Sequence, residues 1–351
     1  MIAAYRVSIA AVLLLQPLCI IAPALGASQN EVVDALGRKV EVVTPVRRIV
    51  ALNSDAVEVL RILNVQDLIV GVFSQIDADP QFWGDLVNRR KVGSWREPNS
   101  EVIVELEPDI VLAYAKTPSP EWEARMAARG IRVLRFELYR IDSLEREVRE
   151  LGRVLDRKEE AERFCSWHDL WLRRIREKVA SVVPRPSVYV ESYGDYVSAG
   201  PTTGGDQMCV DAGGRNISDV MAIPFPRVTP EWVVAQDPDV VVKAAVSNAK
   251  YGAAESGAAL NRVRDRIMQR PAWNLIKAVS SGRVHVLDSS IWVGPRAIIG
   301  LAYMIQWLHP GLMADLSPEA LHKEYLETFQ KLPYKGVFVS DPVAGSDGKC
   351  P

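Results

Sequence analysis

Short apolar runs and amphipathic stretches alternate along this chain, and their order predicts its architecture. Residues 48–52, 68–73, 110–114 and 131–136 are brief and mostly aliphatic, the pattern of strands buried on both faces. Helical spacing lies between some of them. Residues 56–63 follow the capping sequence Asn53-Ser54-Asp55, and residues 120–129 open on Pro120. Ahead of these, residues 32–43 alternate and break at residues 34–37, as a hairpin does. The same order returns after residue 187. Residues 187–191, 240–243 and 283–287 read as strands, and residues 206–212, 260–268 and 272–280 as helices. Residues 193–203 read as a loop holding a short strand, and Gly213-Gly214 closes the helix that follows. Residues 295–308 form an apolar helix and residues 318–330 an amphipathic one. Strand–helix–strand order implies parallel sheets covered on both sides.

The middle of the chain departs from this alternation. Leu144, Val148, Leu151 and Leu155, then Phe164, Trp167, Trp171, Ile175 and Val179, recur at helical spacing through residues 142–183. One long helix is predicted there, with Asp156 as its point of weakness and Pro184-Arg185-Pro186 as its stop. It bridges two Rossmann-like α/β lobes, residues 28–141 and 184–310, each with a central parallel sheet. A helical extension and tail, residues 311–351, follow. The last 20 residues are expected to be loosely ordered. A single helix is a stiff hinge, so little closure between the lobes is expected.

Composition narrows the function. The chain has 351 residues, 48% hydrophobic and 25% charged, enough for two real cores. A net charge of -2 argues against a nucleic-acid surface. Residues 1–27 read as an export signal: Arg6, an apolar stretch broken by Gln16, Pro17 and Pro23, then Ala24-Leu25-Gly26 as a cleavage site. Export permits a disulfide among Cys165, Cys209 and Cys350, but the odd number favours separate thiols or one incidental bridge. His168, His285, His309 and His322 are scattered, so no metal-ligand cluster is expected. No nucleophile elbow, phosphate loop or His-Glu-x-x-His motif is present, so a catalyst is not expected.

One unit is written twice. Residues 99–111 (NSEVIVELEPDIV) and residues 229–241 (TPEWVVAQDPDVV) each read as a capped short helix, a Pro-Asp turn and a buried strand. Each places a glutamate, Glu101 or Glu231, in the first helical turn. The helix dipole alone would favour such a carboxylate by about 0.3–1 kcal/mol. Two in equivalent places suggest a pair of docking charges, because exposed charges set register and encounter rate.

These features together resemble the class III periplasmic substrate-binding proteins of ABC importers. The resemblance spans residues 47–308 and is carried by residues 48–52, Val92-Gly93-Ser94, both repeats, Gly213-Gly214-Arg215-Asn216-Ile217 and Pro295-Arg296-Ala297. It implies a monomer that holds a metal chelate between its lobes and delivers it to a permease dimer with a cytoplasmic ATPase. Glu101 and Glu231 would meet arginines of that permease. No intrinsic cofactor is implied. Ferric siderophore is the first expectation for the cargo, then haem or cobalamin, then molybdate or a nickel chelate. A ligand-sensing partner of a membrane receptor would use the same fold.

The ligand is expected at the carboxyl ends of the strands. Ser54, Ser74, Trp95, Arg96, Tyr193, Asn216, Trp292 and Arg296 lie on loops there. Trp95, Tyr193, Tyr196 and Trp292 offer rings for a flat or catecholate ligand. Arg296 follows Pro295 at a helix start, where the dipole disfavours a cation. Something anionic must compensate, either a ligand or a carboxylate of the protein.

Overall fold

The computed structural model describes residues 28–246 and 257–342. A hairpin opens the described chain: β1 (Ser28–Val33) pairs antiparallel with β2 (Lys39–Thr44). The N-terminal lobe then runs β3 (Ile49–Ala51), α1 (Ser54–Ile62), β4 (Ile69–Val72), α2 (Pro80–Trp83), β5 (Arg90–Lys91), α3 (Ser100–Glu105), β6 (Ile110–Ala113), α4 (Pro120–Ala127) and β7 (Arg132–Arg135). Its five strands are all parallel, in the order β5-β4-β3-β6-β7. Two helices follow, α5 (Leu144–Val154) and α6 (Lys158–Val179).

The C-terminal lobe contains β8 (Ser187–Glu191), α7 (Gly204–Asp211), β9 (Arg215–Asn216), α8 (Pro230–Gln236), β10 (Val240–Ala245), α9 (Ala258–Met268), α10 (Lys277–Ser280) and β11 (Val284–Asp288). Its parallel sheet has the order β11-β10-β8-β9. Helices α11 (Ala297–Leu308) and α12 (Pro318–Tyr325) follow. Every residue of β3, β6, β8 and β10 is buried, as the short apolar runs require. The expectation of two α/β lobes with parallel sheets holds.

The written repeat folds twice in the same way. Asp109 takes the backbone N–H groups of Arg47 and Arg48 on one carboxylate oxygen, at 2.7 and 2.9 Å. Asp239 takes the N–H and hydroxyl of Ser187 at 2.8 and 2.7 Å. Each Pro-Asp turn thus fastens the start of one strand to its neighbour, β6 to β3 and β10 to β8. The residue two before each aspartate is left-handed, Glu107 at φ 42° and Asp237 at φ 43°. The Pro-Asp sequence is therefore a device for starting parallel strands in register.

The bridge is not one continuous helix. Asp156 is left-handed at φ 55°, which ends α5 and turns the chain back so that α6 packs on α5. Gly152 permits the close approach, since a Cβ there would stand 2.5 Å from that of Ala161. Only α6, with 22 residues, is long.

One apolar cluster runs through both lobes, joining the β3 and β4 side chains to those of β8 and β10 through α1, α5, α6 and α11. Helix α11 is buried on nearly every face, as an all-apolar helix must be. The extension belongs to this core. Phe329 packs on Trp167 and Phe164 at centroid distances of 5.2 and 5.4 Å. Arg61 of α1 donates to the Gln330 carbonyl at 2.8 Å. The tail is ordered further than expected. Asp288 donates to the Phe338 carbonyl, and Ser340 to the Val286 carbonyl, both at 2.8 Å, so the segment lies along β11. Cys165 and Cys209 are buried free thiols. The export signal, residues 247–256 and Cys350 lie outside the described residues.

Candidate functional site

The strand ends of the two sheets face each other across a cleft with two adjoining cavities. The larger has a volume of about 920 Å³. On the N-terminal side it is walled by the β1–β2 turn and the segments after β6 and β7, and on the C-terminal side by the loop after β8, the start of α7 and the segment before α11. The smaller, about 360 Å³, is lined by the start of α1, Tyr114 and the segment after β11. Tyr193 and Val293 line both.

Rings furnish the walls. Trp95 meets Tyr114 edge-on at 5.6 Å, and Tyr114 meets Tyr139 at 5.5 Å. Tyr193, Phe225 and Trp292 line the opposite side. Leu36 and Phe225, 48% and 57% exposed, form apolar lips on opposite lobes. The charges are balanced. Lys116, Arg140 and Arg146 share the large cavity with Glu137, Asp142 and Glu147. Arg140 pairs with Asp142 at 2.7 Å and Arg146 with Glu147 at 3.3 Å.

Three links tie the lobes beneath the cleft. Arg140 donates to the Thr202 carbonyl at 2.9 Å, and the Gly294 N–H to the Tyr139 carbonyl at 3.1 Å. Arg296 ion-pairs with Glu58 of α1, its Nε 2.9 Å from Oε1 and its Nη2 donating to Oε2 at 3.1 Å. The loop carrying Tyr193 is held from behind. Lys243 donates to the carbonyls of Ser192, Tyr193 and Gly194, at 2.8, 3.3 and 3.2 Å. It is itself held by Glu191 at 2.8 Å, and Arg270 grips the same carboxylate with two bonds of 2.7 and 2.9 Å.

A family model described as periplasmic binding protein matches residues 49–291, more than half of the chain. The chain belongs to the periplasmic binding protein family. It is 31% identical over 223 residues to a protein of Halobacterium salinarum named cobalamin-binding protein, covering 60% of this chain and 57% of the relative. The match thus spans under two thirds of that relative's own length. A vitamin B12-binding protein of Photorhabdus laumondii is 21% identical over 196 residues, covering 56% of this chain and 70% of the relative. Among solved structures, a periplasmic heme binding protein from Pseudomonas aeruginosa superposes with a TM-score of 0.64 at 25% identity, over 85% of this chain and 99% of that one. A TroA-like periplasmic binding protein from Veillonella parvula, at 19% identity, gives 0.76 over 89% and 99% and shares the fold.

In this periplasmic binding protein the sequence-predicted residues divide into groups. Ser54, Tyr193, Trp292 and Arg296 line the cavities. Trp95 stands beside them through Tyr114, with the Arg96 guanidinium 4.4 Å over its ring. Ser74 is exposed at the start of a 3-10 turn and lines neither cavity. Asn216 is turned inward: its amide donates to the Ala199 carbonyl and to Asp206, at 2.7 and 2.8 Å. It orders the β8–α7 segment. The compensation that Arg296 requires is supplied by the protein, through Glu58, so its charge is already met.

Glu101 and Glu231 are exposed at the starts of α3 and α8, one on each lobe. Asn99 and Thr229 cap those helices. Of the histidines, His285 stacks on Trp307 at 4.6 Å, and burial pushes its imidazole down to about 3. His322 is buried against Phe338 and Tyr334. Among the described residues, no three His, Cys, Asp or Glu side chains gather to hold a metal ion.

Sequence reading missed Asp55, Glu58, Tyr114 and Tyr139. Asp55 was read only as part of a cap. The signal for Glu58 was an acid set between Val57 and Val59 in a helix that is buried nearly throughout.

Proposed function

We propose that this protein is an exported substrate-binding protein that captures a corrinoid in the cleft between its lobes and delivers it to an ABC importer. The observation that carries this reading is the cleft itself, about 920 Å³, walled by aromatic rings and charge-balanced. A large chelate of low net charge fits such walls, since rings stack on its faces and the three cations of the cavity are matched in number by three carboxylates. A ferric tris-catecholate carries several negative charges and would need spare arginines. Of the two arginines in the large cavity, both are paired within it. The names of the curated relatives support the same cargo. The charge balance therefore moves the corrinoid ahead of the ferric siderophore expected from family frequency.

Delivery is assigned to a permease dimer driven by a cytoplasmic ATPase, with Glu101 and Glu231 as docking charges. Their exposure on equivalent helices of the two lobes supports that role. The protein acts as a monomeric carrier with no covalent chemistry. Purification of the exported protein, followed by metal analysis and absorbance of what co-elutes, tests the cargo. Cobalt with corrinoid bands is expected. Iron with a haem or catecholate band would overturn the assignment.

A further inference from the structure

The smaller compartment has a chemistry that the large cavity lacks. Asp55 and Glu58 stand one helical turn apart on α1, and both line it. Glu58 is fully engaged: Arg296 meets both of its oxygens, and the Tyr325 hydroxyl donates to Oε1. One buried cation answers one buried anion, and Asp55 is left over. Asp55 Oδ2 accepts from the Tyr114 hydroxyl at 2.6 Å. Its Oδ1 takes no hydrogen bond among the described residues, and it lies where a Cβ on Gly294 would stand 2.5 Å away. Asp55 is only 8% exposed. Ser290 lines the same compartment, and its buried hydroxyl has no partner among the described residues. An acceptor oxygen without a hydrogen bond and a buried, unmet hydroxyl thus share one small chamber, and the hydroxyl is costly to leave unmet unless a ligand completes it.

We propose that this chamber receives a primary carboxamide arm of the macrocycle, with Asp55 accepting from the amide N–H and the Ser290 hydroxyl donating to the amide oxygen. The assignment rests on the corrinoid reading and deepens it. The peripheral arms of a corrinoid end largely in carboxamides, and those of haem end in carboxylates. A carboxylate arm would meet Asp55 with no spare cation beside it, because Arg296 is committed to Glu58. Ionised Asp55 is therefore a specificity-determining residue, rejecting acid arms and accepting amide arms. At about 360 Å³ the chamber suits an arm, and the adjoining cavity takes the ring.

The test is calorimetry at pH 8.5, where Asp55 is ionised, with two probes, cyanocobalamin and cyanocobalamin whose peripheral carboxamides have been hydrolysed to carboxylates. The wild-type protein should prefer the amide form by about tenfold or more, the value of one completed against one broken buried hydrogen bond. Asp55→Asn, with melting curves to show that it is folded, should narrow that preference to within about threefold, chiefly by admitting the carboxylate form. Ser290→Ala should weaken cyanocobalamin binding by about tenfold. An unchanged preference in Asp55→Asn, or equal wild-type affinity for the two probes, overturns the arm pocket and leaves the corrinoid reading intact. Failure of both probes to bind the wild-type protein overturns the two together.

Discussion

At the scale of single residues, the cleft stores its tension in Asp55. Burial raises its carboxyl to about 7, with the Glu58 charge adding to the rise and the Tyr114 hydroxyl and Arg296 opposing it. A raised native value means that the folded state holds the proton more tightly than the unfolded chain. Stability from this group is therefore greatest below the ordinary carboxylate range and is lost as pH rises toward 7. Asp55→Asn cannot ionise. It should match the wild type near pH 4 and exceed it by on the order of a few kcal/mol at pH 8. Melting curves across that range check this, and a difference that ignores pH would contradict it.

Arg296 behaves in the opposite way. Arg296→Met strands Glu58 inside the protein and should cost about 3–5 kcal/mol in chemical denaturation. Adding Glu58→Leu should restore at least half of that loss, because the uncompensated charge is gone. The sequence showed that a cation at this helix start needs an anion. It could not show which one, because Glu58 and Arg296 meet only when α1 and the segment before α11 are brought together.

At the scale of elements, strand and helix periods were legible because each element has a single buried pattern. The Asp156 break was legible as a weak point. Its geometry was not, since a chain reversal depends on α5 and α6 finding a common face. Asn216 shows the limit of loop-based site reading: a polar residue in a Gly-rich turn served the turn itself. The repeat was legible as a unit, but its aspartates proved to fasten strand starts. Asp239→Ala removes the acceptor for the N–H and hydroxyl of Ser187 and should cost about 1–3 kcal/mol, measured by denaturant unfolding. Loss of under about 0.5 kcal/mol would contradict that fastening role.

At the scale of the molecule, two features stand apart. The strand-end cleft holds Tyr193, Trp292 and the cavities, and the exposed Glu101 and Glu231 stand on α3 and α8 of separate lobes. Cargo capture and docking should therefore separate by mutation. Reversing both glutamates, Glu101→Lys with Glu231→Lys, should reduce transport by at least about tenfold and leave cyanocobalamin affinity within about twofold. Transport that survives the reversal would dismiss the docking role.

The central claim is that the cleft carries a corrinoid, and calorimetric titration with cyanocobalamin, hemin, a ferric tris-catecholate and molybdate tests it most directly. The predicted result is one cyanocobalamin per protein with a Kd below about 1 μM, weakened at least about tenfold in Tyr193→Ala, and no comparable heat from the other three. Tight binding of any of those three, with cyanocobalamin inert, would contradict it.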